Sequence, residues 1–273
     1  MSSESTPRSY DMGSLDSDSE LPRLEQQARV ALELELEALR ALQLPTDSTI
    51  ADVGCGPGFM SCQLARLVPH GKVIGVDADP KLLEQARADA AAQGLNHVET
   101  VRAWAHETGL PPDSVDFCYG RFLLQHVPDP VAIVREMGRI TRPGGQIMLL
   151  DTDDGGLIVY PEPAGLRELL TASQKAQSNL GGDRHIGRKL REVCVEAGLT
   201  DIDLRLVPFT SDMVGMHVFV EIALGYKRQI IDPADMGSDQ VQEVIQRLLG
   251  LAHNPHSFAQ TLAYVATART PHD

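Results

Sequence analysis

The sequence predicts an α/β fold in which helices cover both faces of a mostly parallel, seven-stranded sheet. Short runs rich in Val and Ile alternate with longer amphipathic segments between residues 48 and 151, and this alternation is typical of doubly wound sheets. Three glycines at alternate positions follow the first run, as in a turn from a strand into a helix that cradles a ligand. The last two predicted strands have no crossover between them, which predicts an antiparallel final strand.

The predicted elements follow from local patterns along the chain. Asp129 is the expected N-cap of one helix, Pro130 suits its first position, and Pro143 ends it. A ligand is expected at the carboxyl ends of the central strands. The predicted strands cover residues 48–53, 72–77, 98–103, 114–119, 146–151, 201–207 and 258–267. The predicted helices cover residues 58–68, 79–93, 129–142, 163–180 and 186–197.

The two ends of the chain differ in composition. Residues 1–19 are rich in Ser and Asp, which predicts a flexible tail. Tyr10 is its one aromatic residue and a candidate substrate contact. Residues 20–273 are expected to form a single domain, which begins with a helix over 20–42 that Pro45 ends.

An insertion at residues 210–252 carries two amphipathic helical faces. The second face is aliphatic, and packing onto the sheet or onto a homodimer partner is its favoured interpretation. The first face contains aromatic side chains and predicts a lid over a partly apolar acceptor, with Phe219 and Tyr226 as substrate contacts. The first face consists of Phe219, Ile222, Ala223 and Tyr226, and the second of Val241, Val244, Ile245 and Leu248.

Composition excludes several classes of function. The formal charge is −14, and an acidic chain without basic blocks is a poor nucleic-acid binder. No apolar stretch reaches the length of a membrane span, and no signal sequence opens the chain. The four cysteines are scattered, which predicts buried, reduced thiols. We therefore expect a cytoplasmic protein whose partner is a small molecule, neither nucleic acid nor membrane.

The glycine loop indicates the kind of cofactor. Gly54, Gly56 and Gly58 follow the first strand, and Asp77 ends the second, where a carboxylate can accept from ribose hydroxyls. The spacing is G-x-G-x-G, and Asp52 precedes it. A carboxylate at that position repels a pyrophosphate but suits an ammonium or a sulfonium. The sequence thus predicts a nucleoside cofactor that carries positive charge, and not NAD.

At these residues the chain resembles the class I S-adenosylmethionine-dependent methyltransferases, in the branch similar to ubiquinone and menaquinone methyltransferases. The resemblance implies a Rossmann-like sheet with a reversed last strand, S-adenosylmethionine as cofactor and a small-molecule acceptor. It covers roughly residues 45–155, with the motifs in the family's order. These motifs are Asp52–Gly58, Gly75–Asp77, Leu110–Asp116, Leu124–Asp129 and Arg142–Gly145.

The resemblance also implies a set of cofactor contacts. Asp52 is expected to orient the loop through backbone amides or to face the cofactor's amino group, although a purely structural role is an alternative. Cys55 is interpreted as contributing its backbone rather than a nucleophilic thiol. The implied cofactor contacts are Asp52, Gly54, Cys55, Gly56, Gly58, Asp77, Ala78, Ala103, Trp104, Ala105, Gly120, Arg121 and Gln125.

Two of these contacts have competing interpretations. Trp104 is the only tryptophan and stands where relatives carry an acidic residue that accepts from adenine. It either stacks on the adenine or packs elsewhere. Arg121 either lines the methionine half of the cofactor or forms a surface ion pair.

The candidate catalytic residues are His126, Asp151 and Asp153. His126 is a general-base candidate by position and intrinsic pKa, although a structural hydrogen bond is the favoured alternative. The two aspartates follow the fifth strand and are expected to receive a substrate amine or hydroxyl, or else to cap the next turn. Adjacent carboxylates without a distal partner are weak evidence for a metal, so none is predicted.

The remaining candidates concern the substrate. Phe122 and Arg184 are possible substrate contacts, with solvent exposure as the alternative for Arg184. Tyr119–Phe122 lacks the Asn/Asp-Pro-Pro-aromatic motif of amino methyltransferases that act on bases, which argues against DNA and RNA as substrates. The expected reaction is methyl transfer to an O, N or C nucleophile of a small metabolite. The alternatives are a non-methylating reaction such as cyclisation, or a non-catalytic cofactor-binding module.

Overall fold

The computed structural model describes residues 32–272, so Tyr10 and the predicted tail lie outside the described residues. Eight strands form one sheet in this part of the chain. They are β1 (Thr49–Val53), β2 (Lys72–Asp77), β3 (Val98–Arg102), β4 (Val115–Arg121), β5 (Thr141–Thr152), β6 (Ile158–Tyr160), β7 (Thr200–Thr210) and β8 (Phe258–Arg269). The helices are α1 (Leu32–Ala41), α2 (Phe59–Leu67), α3 (Pro80–Ala92), α4 (Pro130–Ile140), α5 (Leu166–Asn179), α6 (Leu190–Glu196), α7 (Ser211–Val214), α8 (Met216–Ile230) and α9 (Ser238–Gly250).

The sheet confirms the predicted fold class. The strands β3, β2, β1, β4 and β5 are parallel neighbours in that order. Strand β8 pairs antiparallel with β5, and β6 and β7 both pair antiparallel with β8. The predicted count of seven strands was one short, because β6 has three residues and so gives no recognisable periodicity.

Proline and capping residues set the starts of two crossover helices, and the first of these starts was predicted. Asp129 caps α4 by accepting from the amide of Ala132 at 2.9 Å, and Pro130 follows it. Asp79 caps α3 in the same way, with Pro80 at the first helical position. Strand β5 begins earlier than predicted, at Thr141.

The insertion is helical, as predicted, and forms its own apolar cluster. Its three helices are α7, α8 and α9, and α8 packs against α5 and β8. The aliphatic face of α9 is buried, which confirms that it is core. The helices of the insertion meet Leu169 of α5, Phe209 of β7 and Ala259 of β8 in this cluster.

Two further expectations concern membrane spans and the cysteines. No helix among residues 32–272 is long and apolar enough to cross a membrane. All four cysteines are buried and unpaired, as predicted.

Candidate active site

A large cavity lies at the carboxyl ends of the parallel strands. Strand β1 has β2 on one side and β4 on the other, so the connections that follow β1 and β4 diverge and leave a crevice. The cavity has a volume of about 590 Å³. The lining residues from Asp52 to Gln125 include the predicted cofactor contacts, and those from His126 to Ala263 include candidate catalytic and substrate contacts. We call these the donor end and the acceptor end.

The glycine loop is held by the neighbouring strand. Gly54 and Gly56 have φ angles of 73° and 54°, which favour glycine. The amides of Gly54 and Cys55 donate to the carbonyl of Val76 at 2.7 and 3.1 Å. The amide of Gly56 donates to Oδ2 of Asp77 at 2.9 Å. Asp77 therefore holds the loop as well as facing the cavity.

Asp52 does not hold the loop through the amides, contrary to one interpretation of its role. Its Oδ2 accepts a hydrogen bond from the hydroxyl of Ser61 at 2.6 Å. The residue lines the cavity and is 2% exposed. Burial raises the pKa of this carboxyl to about 7. Asp52 is thus a titratable group at the donor end.

Three other predicted cofactor contacts differ in their environment. Burial raises the pKa of the Cys55 thiol well above its ordinary value, so the thiol stays protonated and is not a nucleophile. Gly58 and Gly120 lie outside the cavity wall. A Cβ at Gly58 would approach Cβ of Ala86 to 2.5 Å, so this glycine permits close packing of α2 against α3.

Arg121 forms a buried ion pair, not a surface one. Its Nε lies 2.9 Å from Oε2 of Glu35, and the two side chains are 10% and 1% exposed. Its guanidinium lies 4.5 Å from the centre of the Phe122 ring. The Nη2 atom is buried and has no hydrogen-bond partner among residues 32–272. Arg121 and Phe122 both line the cavity.

Trp104 lies at the mouth of the donor end. It is 47% exposed and lines the cavity beside Ala103 and Ala105. Its ring stacks on His106 with centroids 6.4 Å apart. Stacking of this ring on the adenine stays a prediction, and packing against neighbours such as His106 stays its alternative.

The acceptor end brings His126 and Tyr226 together. Their rings meet edge to face with centroids 5.2 Å apart. Nδ1 of His126 lies 3.5 Å from the side-chain amide of Gln177, which is at the limit of a hydrogen bond. Both rings line the cavity. The structure therefore places a group able to accept a proton beside an aromatic wall.

Three predicted site residues do not line the cavity. Asp151 accepts from the amides of Gln125 and Thr152, and burial raises its pKa to about 7. Asp153 pairs with Arg188 and accepts from the amide of Gly155, so it caps the turn, which was the alternative considered. Phe219 is buried against Phe209, with centroids 5.3 Å apart.

The sequence interpretation missed two cavity residues. Asp154 lies on the wall where Asp151 and Asp153 were expected, because a 3-10 turn begins at Asp154 and ends the alternation of the strand. Lys227 follows Tyr226 on α8 and also lines the cavity. Basic residues are common in the last turn of a helix, so the sequence gave Lys227 no distinguishing signal. Arg184 also lines the cavity and is 7% exposed, so the expectation of solvent exposure was wrong.

Known proteins resemble this chain in sequence. Residues 51–149 match the family model described as "Methyltransferase domain". The demethylmenaquinone methyltransferase of Geobacillus kaustophilus is 29% identical over 206 residues, which cover 70% of this chain and 84% of that protein. These similarities support a class I S-adenosylmethionine-dependent methyltransferase.

Solved structures agree with this family at the level of the fold. A Bacillus halodurans protein assigned to the methyltransferases superposes with a TM-score of 0.61 at 18% identity, covering 86% of this chain and 98% of that one. Phosphoethanolamine N-methyltransferase 2 of Haemonchus contortus, solved with phosphomonomethylethanolamine and S-adenosylhomocysteine, has a TM-score of 0.54 at 19% identity. That alignment covers 84% of this chain and 50% of the other.

The donor end of this methyltransferase fits S-adenosylmethionine. A Cβ at Gly56 would meet no heavy atom within 4 Å, which leaves room for a ligand against the loop. The buried, unpartnered Nη2 of Arg121 suits the methionine carboxylate. The carboxylates of Asp77 and Asp52 line the same cavity and can accept hydrogen bonds from hydroxyl or ammonium groups. In residues 32–272 no group of three or more His, Cys, Asp or Glu side chains is arranged to hold a metal ion.

Proposed function

We propose that this methyltransferase transfers the methyl group of S-adenosylmethionine to an O, N or C nucleophile of a small, partly apolar metabolite. The continuity of the cavity supports the proposal most directly. One space of about 590 Å³ runs from the glycine loop to the wall formed by α8. An acceptor at that wall would lie next to the cofactor without crossing solvent.

The side chains at the acceptor end support a partly apolar substrate. Ile222, Ala223 and Tyr226 of α8 line the cavity together with Phe209 of β7 and Ala263 of β8. An apolar wall of this kind excludes water from the reacting atoms. The helix α8 therefore serves as the proposed lid, and Phe219 supports it from behind.

Methyl transfer from a sulfonium requires the protein mainly to position the acceptor against the methyl group. Bound S-adenosylmethionine supplies an electrophilic methyl group on a sulfonium, so alignment and exclusion of water carry most of the catalysis. His126 is the proposed general base for an acceptor that must lose a proton. Gln177 lies beside its Nδ1 and would help to orient the ring.

Formation of S-adenosylhomocysteine tests the proposed function. The protein is incubated with S-adenosylmethionine and a metabolite mixture, and S-adenosylhomocysteine and methylated products are measured by mass spectrometry. We expect both to appear, and to form more slowly in an Asp77→Ala variant at limiting S-adenosylmethionine. A cyclising enzyme would convert an acceptor while leaving S-adenosylmethionine intact, and a non-catalytic module would bind the cofactor and convert nothing. Either result would contradict the proposal.

The proposal also includes the location of the enzyme and its oligomeric state. We expect the enzyme to work in the cytoplasm, and four buried, unpaired cysteines support a reducing compartment. A homodimer stays a prediction, which light scattering of the purified chain tests.

A further inference from the structure

We propose that Glu35 of α1 is a positioning residue, which holds the guanidinium of Arg121 so that Nη2 remains available to the methionine carboxylate of S-adenosylmethionine. This role belongs to cofactor binding and goes beyond the proposed function, because it depends neither on the acceptor nor on the reaction. The motifs of the sequence begin at Asp52, so none of them gives Glu35 a role.

Helix α1 carries the Glu35 carboxylate into the protein. Leu36 and Leu39 lie on the same side of the helix and are buried in the apolar cluster that includes Ile50 of β1. Glu35 is 1% exposed, whereas Glu37 on the same helix is exposed. A buried carboxylate is costly unless a charged or hydrogen-bonding partner compensates it. Packing of α1 alone therefore does not explain a glutamate at this position.

The partner of Glu35 is Arg121 at the end of β4. Nε of Arg121 donates to Oε2 of Glu35 at 2.9 Å. Burial raises the pKa of the Glu35 carboxyl, and Arg121 opposes that rise. The guanidinium also lies over the ring of Phe122, 4.5 Å from its centre. One contact fixes an edge of the planar group and the other covers a face, so together they set its orientation in the cavity wall.

The ion pair uses one hydrogen bond where two are possible. A guanidinium and a carboxylate can form two parallel N–H···O bonds. Here Nη2 of Arg121 and Oε1 of Glu35 are both buried, and neither has a hydrogen-bond partner among residues 32–272. A pair that served only to attach α1 to the sheet would gain from the second bond. The geometry instead leaves Nη2 for another anion, and a buried donor is costly until an acceptor binds it.

The charges at the donor end indicate which anion binds there. Arg121 is the one arginine or lysine among the donor-end residues of the described wall, which also include Asp52 and Asp77. S-adenosylmethionine carries a sulfonium, an ammonium and one carboxylate. The two aspartates attract the cations and repel the carboxylate. Of these three residues, Arg121 is the one that attracts the carboxylate, so recognition of that group depends on where the guanidinium is held.

Decarboxylated S-adenosylmethionine is the matched probe. It retains the nucleoside, the sulfonium and the ammonium, and its net charge is more positive because the carboxylate is missing. The acidic donor end alone would favour this probe, whereas a positioned Arg121 favours S-adenosylmethionine. Calorimetry of the native chain at about pH 8.5, where Asp52 is ionised, should show that S-adenosylmethionine binds about tenfold or more tightly. Equal affinities, or tighter binding of the decarboxylated probe, would overturn the inference.

Variants separate the hydrogen bond to Nε from the charge of Glu35. Glu35→Leu and Glu35→Gln both remove the charge, but only glutamine retains an oxygen that accepts from Nε. We expect Glu35→Leu to lose about fivefold or more of the preference and Glu35→Gln to keep it within about twofold. Glu35→Asp keeps the charge but withdraws the carboxylate, so it should also lower the preference. Glu37→Leu is the matched control at an exposed position of α1, with the native preference.

The melting temperature distinguishes positioning from simple attachment of α1. It is measured for each variant without ligand by differential scanning fluorimetry. If Glu35→Leu and Glu35→Asp lower the melting temperature but keep the native preference, Glu35 only attaches α1 to the sheet and the proposed role is wrong. Equal losses of preference in Glu35→Gln and Glu35→Leu would show that the charge alone matters, which also contradicts it.

Two precautions keep these outcomes decisive. If Glu35→Leu does not fold, the comparison of Glu35→Asp with Glu35→Gln decides, because only Glu35→Gln should keep the preference. The titrations contain no acceptor, so a failure of the proposed methyl transfer would leave their result unchanged. Loss of the preference for the carboxylate would in turn leave the proposed reaction standing.

Discussion

The carboxylate of Asp77 accepts hydrogen bonds from two separate segments of the backbone. Its Oδ2 accepts from the amide of Gly56 in the loop, and its Oδ1 accepts from the amide of Asp79 at the start of α3, each at 2.9 Å. A carboxylate has lone pairs for further bonds, so these contacts leave capacity for ribose hydroxyls. The residue thereby links the position of the loop to the position of the nucleoside.

Replacing Asp77 by Ala is expected to weaken S-adenosylhomocysteine binding by roughly 1–3 kcal/mol, because the ribose hydroxyls and the Gly56 amide lose their acceptor. Calorimetry measures the change. Glu84→Ala removes an exposed carboxylate from α3 and serves as the control, with unchanged affinity. Equal affinities for Asp77→Ala and the native chain would remove Asp77 from the site.

Asp52 should make cofactor binding depend on pH. Its pKa is about 7 in the free protein, and only the ionised form attracts the ammonium of the methionine half. Affinity for S-adenosylmethionine should therefore rise from pH 5 to 7.5 and level off above the pKa, by up to about tenfold per pH unit below it. Asp52→Asn should flatten the profile. 5′-Methylthioadenosine lacks the ammonium, so a matching pH profile for that ligand would contradict the role of Asp52.

Trp104 provides a fluorescent probe of the donor end. It is the only tryptophan in the chain and lines the cavity at its exposed mouth. Adenine stacked on the ring should change its emission, so titration with S-adenosylhomocysteine should give a saturating signal. A constant signal, with binding established by calorimetry, would place the adenine elsewhere.

At the scale of elements, α8 presents different faces to two environments. Ile222 and Tyr226 line the cavity, whereas Phe219 is 2% exposed and stacks on Phe209. One helix therefore joins the substrate wall to the core of the insertion. Of the aromatic face predicted from the sequence, Ile222 and Tyr226 line the cavity and Phe219 belongs to the core of the insertion.

Substitutions on α8 should separate the two roles. Ile222→Ala is expected to lower turnover at least several-fold with little change in cofactor affinity or stability, because it enlarges the acceptor pocket. Phe219→Ala should instead lower the free energy of unfolding by about 3–5 kcal/mol, the usual cost of removing a buried ring. Steady-state kinetics and urea denaturation measure the two effects. A larger loss of stability for Ile222→Ala than for Phe219→Ala would reverse the assignment.

Local sequence patterns predicted the donor end well, because each signal there depends on neighbouring residues. The glycines of the loop need positive φ, and Asp129 with Pro130 marks a helix start, whatever the rest of the chain does. The acceptor end depends on distant contacts. Asp154 lines the cavity and pairs with Arg184, which lies thirty positions later in the chain. A periodic pattern in the local sequence cannot predict a contact over that distance. Asp151 and Asp153 were predicted because they stand at the end of the fifth strand, but β5 continues to Thr152 and neither residue lines the cavity.

At the scale of the whole molecule, both ends of the cavity belong to one sheet. The parallel strands β1, β2 and β4 lead into the donor end, and β7 and β8 contribute Phe209, Thr261 and Ala263 to the acceptor end. A ligand in the cavity thus contacts segments far apart in sequence. Its binding should stabilise the folded chain as a unit.

S-adenosylhomocysteine should raise the melting temperature, and NAD should not. A ligand at one hundred times its Kd adds about 2.7 kcal/mol to the free energy of unfolding, which corresponds to a shift of several degrees for a chain of this size. Differential scanning fluorimetry measures both ligands at equal excess, with Asp77→Ala as the control. A shift with NAD that matches or exceeds that with S-adenosylhomocysteine would contradict the cofactor assignment.

The order of the wall residues along the chain has an evolutionary consequence. The matched family segment, residues 51–149, contains the donor end and stops before Asp154, Arg184 and Lys227. Gene exchange or drift downstream of β5 can therefore replace the recognition of one metabolite by that of another while the methyl-donor machinery is inherited unchanged. Descendants of one ancestor would then share a motif and a cofactor but divide into lineages by the charge at their acceptor ends.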